Sequence, residues 1–464
     1  MQEVLQKSVP SIWSLEKVIG VIRASSFILI PLFATLGIVA IFYPGFMTYD
    51  TIHALKSARE GITDSVWPPM VSYVWRFVDL ISLNPSAMHF SQVLLLLASI
   101  FYIVYFFTKK VVYAAIVMVV YLCIPAILGT IAAIWKDVLM AAFFLAGFAI
   151  SISLPKIVSK WVFNFLLLAA LFLLFLGICT RHNAIAGAVP LLFYLAFTLC
   201  RRYLKNLTSL GLGTFIVGSV LILATFILKV QLDNFSLPDF KRLPNSSAAF
   251  IKSIQPYDIA GASICVGRNL FEDIKPNWSL SKIKEEYDPR HISLAGKTLN
   301  QMMWKEERIQ QIWLTTLIEH PFCFFYHKWQ LTKYLISANI GAPFIITLPA
   351  IAKNDYGYSL SPSLMRDQIV HYIMNSSELF FVKPWFLYCL ALTILAYGLF
   401  QRLLTFDYLV ILLSGMFYLI SLIMFGNAAD ARLPFYTTTV VLIFIFSALY
   451  KWLRNLFTKR LLFS

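Results

Sequence analysis

The 464 residues predict an all-α polytopic membrane protein with about ten transmembrane helices, on three observations. Hydrophobic residues make up 59% of the chain and charged residues 13%, against roughly 45–50% and about 25% in a soluble domain. Mean hydropathy is +0.75, and one soluble core of this size cannot hide so much apolar surface. Apolar runs of about 20 residues, enough to cross roughly 30 Å of hydrocarbon, recur along the chain. The segments joining those runs then share the basic residues unevenly, so the net charge of +15 reads as a signal of orientation, not of nucleic acid as partner.

The candidate spans lie near 23–43, 87–108, 111–130, 138–154, 161–179, 184–200, 210–229, 384–401, 406–425 and 434–450. The first is too long for a signal peptide and lacks a small-residue cleavage site, so it reads as an uncleaved anchor. With the N-terminus inside, the inner segments carry fifteen Lys and Arg and the short outer segments six. Long translocated segments are largely exempt from this bias, so the comparison puts both termini on the cytoplasmic side.

Three regions follow: 1–229, a membrane module of about seven spans with its first outer loop at 44–86; 230–383, a large outer segment; and 384–464, a module of about three spans. The outer segment is expected to be mainly helical, with amphipathic stretches at Leu299–Ile318 and Phe322–Ile336. Gln255–Ser263 and Ser359–Ser363 read as loop or turn, and the short run Ile345–Ile351, with Pro349, as a re-entrant or interfacial piece. Cys265 and Cys323 both fall in this segment and can pair in an oxidising compartment or stay apart. No Cys/His spacing resembles a zinc site.

The first outer loop is the richest in polar groups. Pro44-Gly45 ends the first span and Pro68-Pro69 opens Met70–Ile81, with Thr51–Glu60 of helix-forming composition between them. Two short helices lying on the membrane surface are expected, with Asp50 at the start of the first. There it serves as an N-cap, worth about 1 kcal/mol, as a catalytic carboxylate, or as both. The next outer turn holds Trp135-Lys136-Asp137, whose charges either neutralise each other or divide, Lys136 binding an anion while Asp137 positions it. The third holds Arg181-His182-Asn183, where a snorkelling Arg is the plain alternative to a site. The last holds Asp430-Ala431-Arg432, an exposed ion pair or part of a site.

The predicted topology places all four turns on one side. Ionisable groups beside spans usually face a bundle interior or a water-filled cavity. Lys136, Arg181 and Arg432 together suit a phosphate or pyrophosphate, and Asp50 beside them suits deprotonation of an attacking hydroxyl.

The run Tyr43-Pro44-Gly45, Asp50, Gly61 and Trp67-Pro68-Pro69 resembles the first external loop of bacterial membrane glycosyltransferases of the C superfamily (GT-C). Trp135-Lys136-Asp137, Arg181-His182-Asn183, His320-Pro321 and Asp430-Ala431-Arg432 fall where that family has later landmarks. The resemblance covers most of the chain as topology and only short stretches as motif. It implies a sugar carried on a polyprenyl phosphate, transferred with inversion on the periplasmic face of a bacterial inner membrane. Asp50 would be the general base, and Lys136, Arg181 and Arg432 would bind the donor phosphate. His53, Asp64, Trp67, Asp137, His182, Tyr257, Asp258 and Asp430 would support the site or contact sugar. The acceptor would be a surface glycan or a lipid-linked molecule, and O-antigen glucosyltransferases are the narrowest match in size.

The sequence departs from the family pattern at Trp67, where many relatives have a His, and in lacking an Asp-x-Asp pair in this loop. A metal-dependent mechanism is therefore possible but not indicated, and no cofactor is assigned. The rival expectations are an O-antigen polymerase or ligase, and a flippase or exporter that moves lipid-linked sugar without breaking a bond.

Overall fold

The computed structural model describes residues 15–63, 67–234, 240–242, 249–290, 296, 299, 308–339 and 345–463. Every candidate span falls on helix, the one near 111–130 on two separate helices. α1 (Leu15–Phe42) leads into the loop helices α2 (Tyr49–Glu60) and α3 (Met70–Asp79), and then α4 (Pro85–Thr108). α5 (Val111–Leu122), α6 (Pro125–Ile131), α7 (Lys136–Ser151), α8 (Lys160–Thr180), α9 (Ala184–Tyr203) and α10 (Leu207–Asn234) follow. The 230–383 segment, expected to be the large outer one, supplies α11 (Ala249–Val266), α12 (Leu280–Glu286), α13 (Ile309–Glu319), α14 (Pro321–Leu335) and α15 (Leu364–Ser376). α16 (Pro384–Phe400), α17 (Phe406–Phe425) and α18 (Phe435–Phe463) close the chain. A two-residue parallel pairing, β1 (Ile62–Thr63) with β2 (Lys241–Arg242), ties the first loop to the outer segment.

Eight of these helices are long and apolar enough to cross a membrane, or nine if one bent pair counts as a span; ten were expected. The bent pair is α5 and α6, which meet at 83°. Pro125 supplies no backbone N–H, and the residue before it, Ile124, is driven into extended backbone at φ −78°, ψ 120°, so one continuous helix over 111–130 is excluded. The other shortfall is α16, an apolar helix of 17 residues.

α7 sits at the centre. Of its apolar window 83% is buried, against 11% for α10, which therefore lies at the rim of the bundle. A helix buried all round must be apolar all round, and after Lys136-Asp137 α7 runs to Phe148 without an ionisable residue. α4, α8, α9 and α18 surround it. Hydrogen bonds between helices add specificity inside this apolar packing: Tyr121 to Thr439 at 3.0 Å, Tyr388 to Thr438 at 3.0 Å and Ser414 to Tyr436 at 2.6 Å.

The loop helices form close to where the sequence places them. Gly61, left-handed at φ 66°, ends α2 by donating its N–H to Ser57 O, and Pro69 precedes α3. In the outer segment α11 packs on α12, α13 and α14 around Ile259, Phe271, Ile283 and Ile312. A disulfide joins Cys265 to Cys323, with the two Cα atoms 5.4 Å apart.

One expectation is corrected here. Gln255–Ser263 is no loop: it lies within α11, where Pro256 is accommodated inside the helix. Ile345–Ile351, expected as a re-entrant or interfacial piece, is a non-helical strap whose backbone hydrogen-bonds to Met47 and Ala431. Ser359–Ser363 is non-helical, with Ser363 capping α15 by accepting the Arg366 N–H at 3.4 Å. Of the amphipathic stretches, Phe322–Ile336 corresponds to α14, and only the end of Leu299–Ile318 corresponds to α13, because 300–307 lies outside the described residues.

Candidate functional site

The site is built on backbone. The bend at Pro125 turns α6 sideways and delivers Ile131–Trp135 to the loop after α1. There Phe46 N–H donates to Ala132 O at 3.0 Å, and Ile134 N–H donates to Phe46 O at 2.9 Å. On its other side the loop meets the strap: Met47 N–H donates to Ala350 O at 3.1 Å and Ala352 N–H to Met47 O at 2.7 Å. The strap is fixed in turn by the Ala431 N–H, which donates to Ile345 O at 3.2 Å. Four stretches distant in sequence are thereby held in one register, three of them carrying or adjoining a charged turn.

Glycine is required at two of the crossings. Gly45 has φ +108°, and a Cβ there would lie 2.9 Å from Ile134 Cγ1. Gly129 presses on the strap so closely that a Cβ would fall 2.8 Å from Ile346 O.

Within this frame the charged groups pair across turns. Asp50 is not the N-cap of α2. That position is Thr48, and Asp50 sits in the first helical turn. Its Oδ2 is 3.1 Å from Arg432 Nη1 and 3.7 Å from Lys136 Nζ. Arg432 uses a second arm, Nε, on Asp430 Oδ2 at 3.2 Å. The neighbours Lys136 and Asp137 divide, since adjacent helical positions point about 100° apart. Lys136 faces Asp50, while the buried Asp137 takes Arg181 as its ion-pair partner. Arg181 therefore joins the cluster through Asp137 and is not among the residues lining the cleft, whereas Asp50, Lys136 and Arg432 are.

Aromatic rings hold the cations from the other side. Lys136 Nζ lies 4.6 Å from the Trp67 ring centre, and the Arg432 guanidinium 5.1 Å from that of Trp135. Trp135 Nε1 donates to Thr48 Oγ1 at 3.2 Å, and Thr51 Oγ1 donates to Ile134 O at 2.7 Å, which locks α2 against the 131–135 stretch. His53 lies beside Trp67, ring centres 5.4 Å apart, and also lines the cleft. The space between these groups is narrow, about 30 Å³, room for a water or two.

Burial acts to raise the Asp50 carboxyl, but the charges of Lys136 and Arg432 outweigh it and hold the group below the usual carboxylate range. Asp50 is thus an anion clasped by two cations.

Other expected residues lie elsewhere. His182 is half-buried in the turn between α8 and α9 and does not line the cleft. Asp430 is buried and meets the cleft only through Arg432. Asp64 lies outside the described residues.

Tyr257 and Asp258 are both wholly buried in α11, so neither side chain is presented to a sugar. Asp258 Oδ1 accepts from Lys328 Nζ at 2.7 Å and pairs with His327 Nε2 at 2.9 Å, while Oδ2 accepts from Trp313 Nε1 at 2.9 Å. Tyr287 Oη lies 2.7 Å from His327 Nδ1. Burial works to raise the Asp258 carboxyl, and Lys328 and His327 outweigh it and hold it low. This is a charge network that fixes α11 on α14.

The groups that sequence reasoning missed are Thr48, Thr51 and Gln92, the last donating to Ala133 O at 2.8 Å, and Trp135, named in its turn, had been given no role of its own. Among the described residues no three His, Cys, Asp or Glu side chains gather as a metal site requires.

No family model, curated protein or solved structure matches the chain. The functional reading therefore rests on the geometry of the cleft and on the resemblance of short motifs.

Proposed function

We propose that this protein is a membrane glycosyltransferase that takes a hexose, glucose being the narrowest expectation, from a polyprenyl-phosphate donor. One observation carries the reading: a single carboxylate held between two cations, under two tryptophan faces, at the ends of apolar helices. Cations receive the phosphate, aromatic faces receive the sugar, and the carboxylate receives the acceptor's proton. Mobile ion-conducting or flipping pathways tend to place charges within spans, and these charges sit at span ends.

The chemistry is a single displacement. The acceptor hydroxyl oxygen attacks the anomeric carbon as its proton passes to Asp50. The bond from that carbon to the phosphate oxygen breaks, and the lipid phosphate leaves with the electron pair. Lys136 and Arg432 stabilise the charge growing on the leaving phosphate, an electrostatic contribution of several kcal/mol when preorganised. Arg181 acts through Asp137, keeping the head of α7, and with it Lys136, in place.

The same cations explain how a weak base becomes competent. While they clasp Asp50 its basicity is low. A donor phosphate draws Lys136 and Arg432 toward itself, and the carboxylate regains affinity for a proton as the substrate arrives. The donor also has to widen a cleft that holds only water-sized space.

In this reading both termini are cytoplasmic, the cleft and the 230–383 segment face the periplasm of a bacterial inner membrane, and α2 and α3 lie along its surface. The excess of basic residues in the opposite segments and the Cys265–Cys323 pair both support that orientation. The test is product analysis. Surface glycans and polyprenyl lipids are compared by mass with and without the protein, and with Asp50→Asn. One hexose gained only with the unaltered protein supports transfer; a change in chain length indicates a polymerase or ligase. Movement of intact lipid-linked sugar, insensitive to Asp50→Asn, indicates a flippase and overturns the proposal.

A further inference from the structure

A second cavity lies at the far end of α7 from Asp50, across the span Lys136–Lys156, or about 30 Å at 1.5 Å per residue. It is roomy, about 520 Å³. Phe106, Ile152, Leu154, Phe163 and Phe197 make its walls apolar, while Lys156, Arg201, Arg202, Thr405 and Asp407 supply the polar rim.

The rim's single carboxylate is already satisfied by hydroxyls. Asp407 accepts from Tyr194 at 2.5 Å and from Thr405 at 3.3 Å. Arg202 is committed too, donating to Ile157 O and Val158 O at 2.9 Å each. Arg201 leans on Phe197, 6.0 Å from its ring centre, which leaves Lys156 on the rim; Lys109 lies beside it, just outside the lining. Lys109 and Lys156 lie over the same ring, Phe106, at 4.0 and 4.2 Å from its centre, and no described carboxylate lies within ion-pair distance of either. Lys109 is held there by the backbone: it caps α4 in a left-handed conformation, φ 59°, with its N–H on Tyr105 O at 2.7 Å. Burial, helped by the charge of Lys156, pushes the Lys109 ammonium down to about 8. Two like charges on one ring are a standing repulsion that an anion between them would relieve.

We propose that this cavity is a phosphate-binding site, with Lys156 on its rim and Lys109, which shares the Phe106 ring at its edge, receiving the phosphate of an anionic phospholipid, and the phenyl-lined wall receiving the start of its acyl chains. Free phosphate shares the headgroup chemistry, but it gains nothing from apolar walls, and this favours the lipid as source. Basic pockets between helices on the cytoplasmic side are a recurrent form of lipid site. The site does not depend on the catalytic reading, since its groups lie at the opposite end of the bundle.

The test uses the full-length protein in phosphatidylcholine nanodiscs. Acylation of individual lysines by an amine-reactive ester at pH 8 is followed by mass spectrometry, with and without phosphatidylglycerol. Phosphatidylglycerol should slow labelling of Lys109 and Lys156 roughly fivefold each, and leave Lys110 and Lys160, which neither line the cavity nor lie over Phe106, unchanged. Equal slowing at all four means general surface shielding and overturns the site. Equal protection by inorganic phosphate overturns the lipid as source, and protection by neither overturns phosphate binding. Independently, native mass spectrometry of the detergent-purified double variant Lys109→Ala/Lys156→Ala should show about 25-fold weaker phosphatidylglycerol retention. Retention equal to the unaltered protein overturns the assignment. Should the variant fail to fold, the labelling result decides alone.

Discussion

Arg432 Nη1 meets Asp50 Oδ2 at 3.1 Å across 382 residues of sequence, and Arg432 Nε holds Asp430 at 3.2 Å with its other arm. One guanidinium therefore ties the turn before α18 to the first turn of α2. A lysine at this position has one compact ammonium in place of a planar fork, so it cannot meet the two carboxylates from separate arms as Arg432 does. Arg432→Lys should raise KM for the polyprenyl donor by about tenfold or more while the protein still inserts; Arg432→Ala should lower kcat as well. Steady-state kinetics with a short-chain donor would check this, and an unchanged KM in both variants would remove Arg432 from donor binding.

Asp50 carries the sharpest expectation. Asp50→Asn should lower transfer by roughly 10²–10⁴, the usual worth of a general base, without loss of membrane insertion. The carboxyl's pKa is depressed in the free protein, so the stability it contributes is present above about pH 3.9 and is lost only as pH falls through the lower folded value. Donor phosphate, by drawing away Lys136 and Arg432, should raise it. The acid limb of kcat, which reports the donor complex, should therefore lie at higher pH than the acid limb of kcat/KM. Coincident limbs in a full pH–rate series would contradict the competition between phosphate and Asp50 for the same cations.

What was legible in the sequence, and what was not, follows from where the information resides. The two loop helices could be read because Pro44-Gly45 and Pro68-Pro69 punctuate them, and the four charged turns could be read because ionisable residues are rare in this chain. The break at Pro125 was hidden, since both arms are equally apolar and hydropathy is blind to direction. The strap at 345–351 was hidden for another reason: it is held by backbone hydrogen bonds to Met47 and Ala431, which leave no side-chain pattern. Asp258 looked like a turn residue beside small neighbours. Its partners His327 and Lys328 lie 69 and 70 residues away, and nothing local announces them.

Gly129 offers a test of the strap that touches no charged group. A methyl at this position must displace Ile346 O, a backbone atom with nowhere flexible to go. Gly129→Ala should destabilise by about 1–3 kcal/mol through overpacking, and should lower activity further by loosening the register between 46–47 and 350–352. Thermal unfolding and transfer assays on the same preparation separate the two effects. Full stability with full activity would mean that the strap does not fix the site.

The buried network in the outer segment makes the last prediction. Asp258 is enclosed with Lys328, which is 1% exposed, and with His327, also 1% exposed. Asp258→Asn leaves the Lys328 ammonium buried without its anion, a loss of about 3–5 kcal/mol, whereas Asp258→Asn with Lys328→Met removes both charges and should recover much of that. Breaking the Cys265–Cys323 bond between the same two helices should cost about 2–4 kcal/mol. Because α11 and α14 share both ties, the effects of Asp258→Asn and Cys265→Ser/Cys323→Ser should not add. Unfolding midpoints for the three variants and their combination would measure the coupling. Strict additivity would mean that network and disulfide hold separate parts of the outer segment.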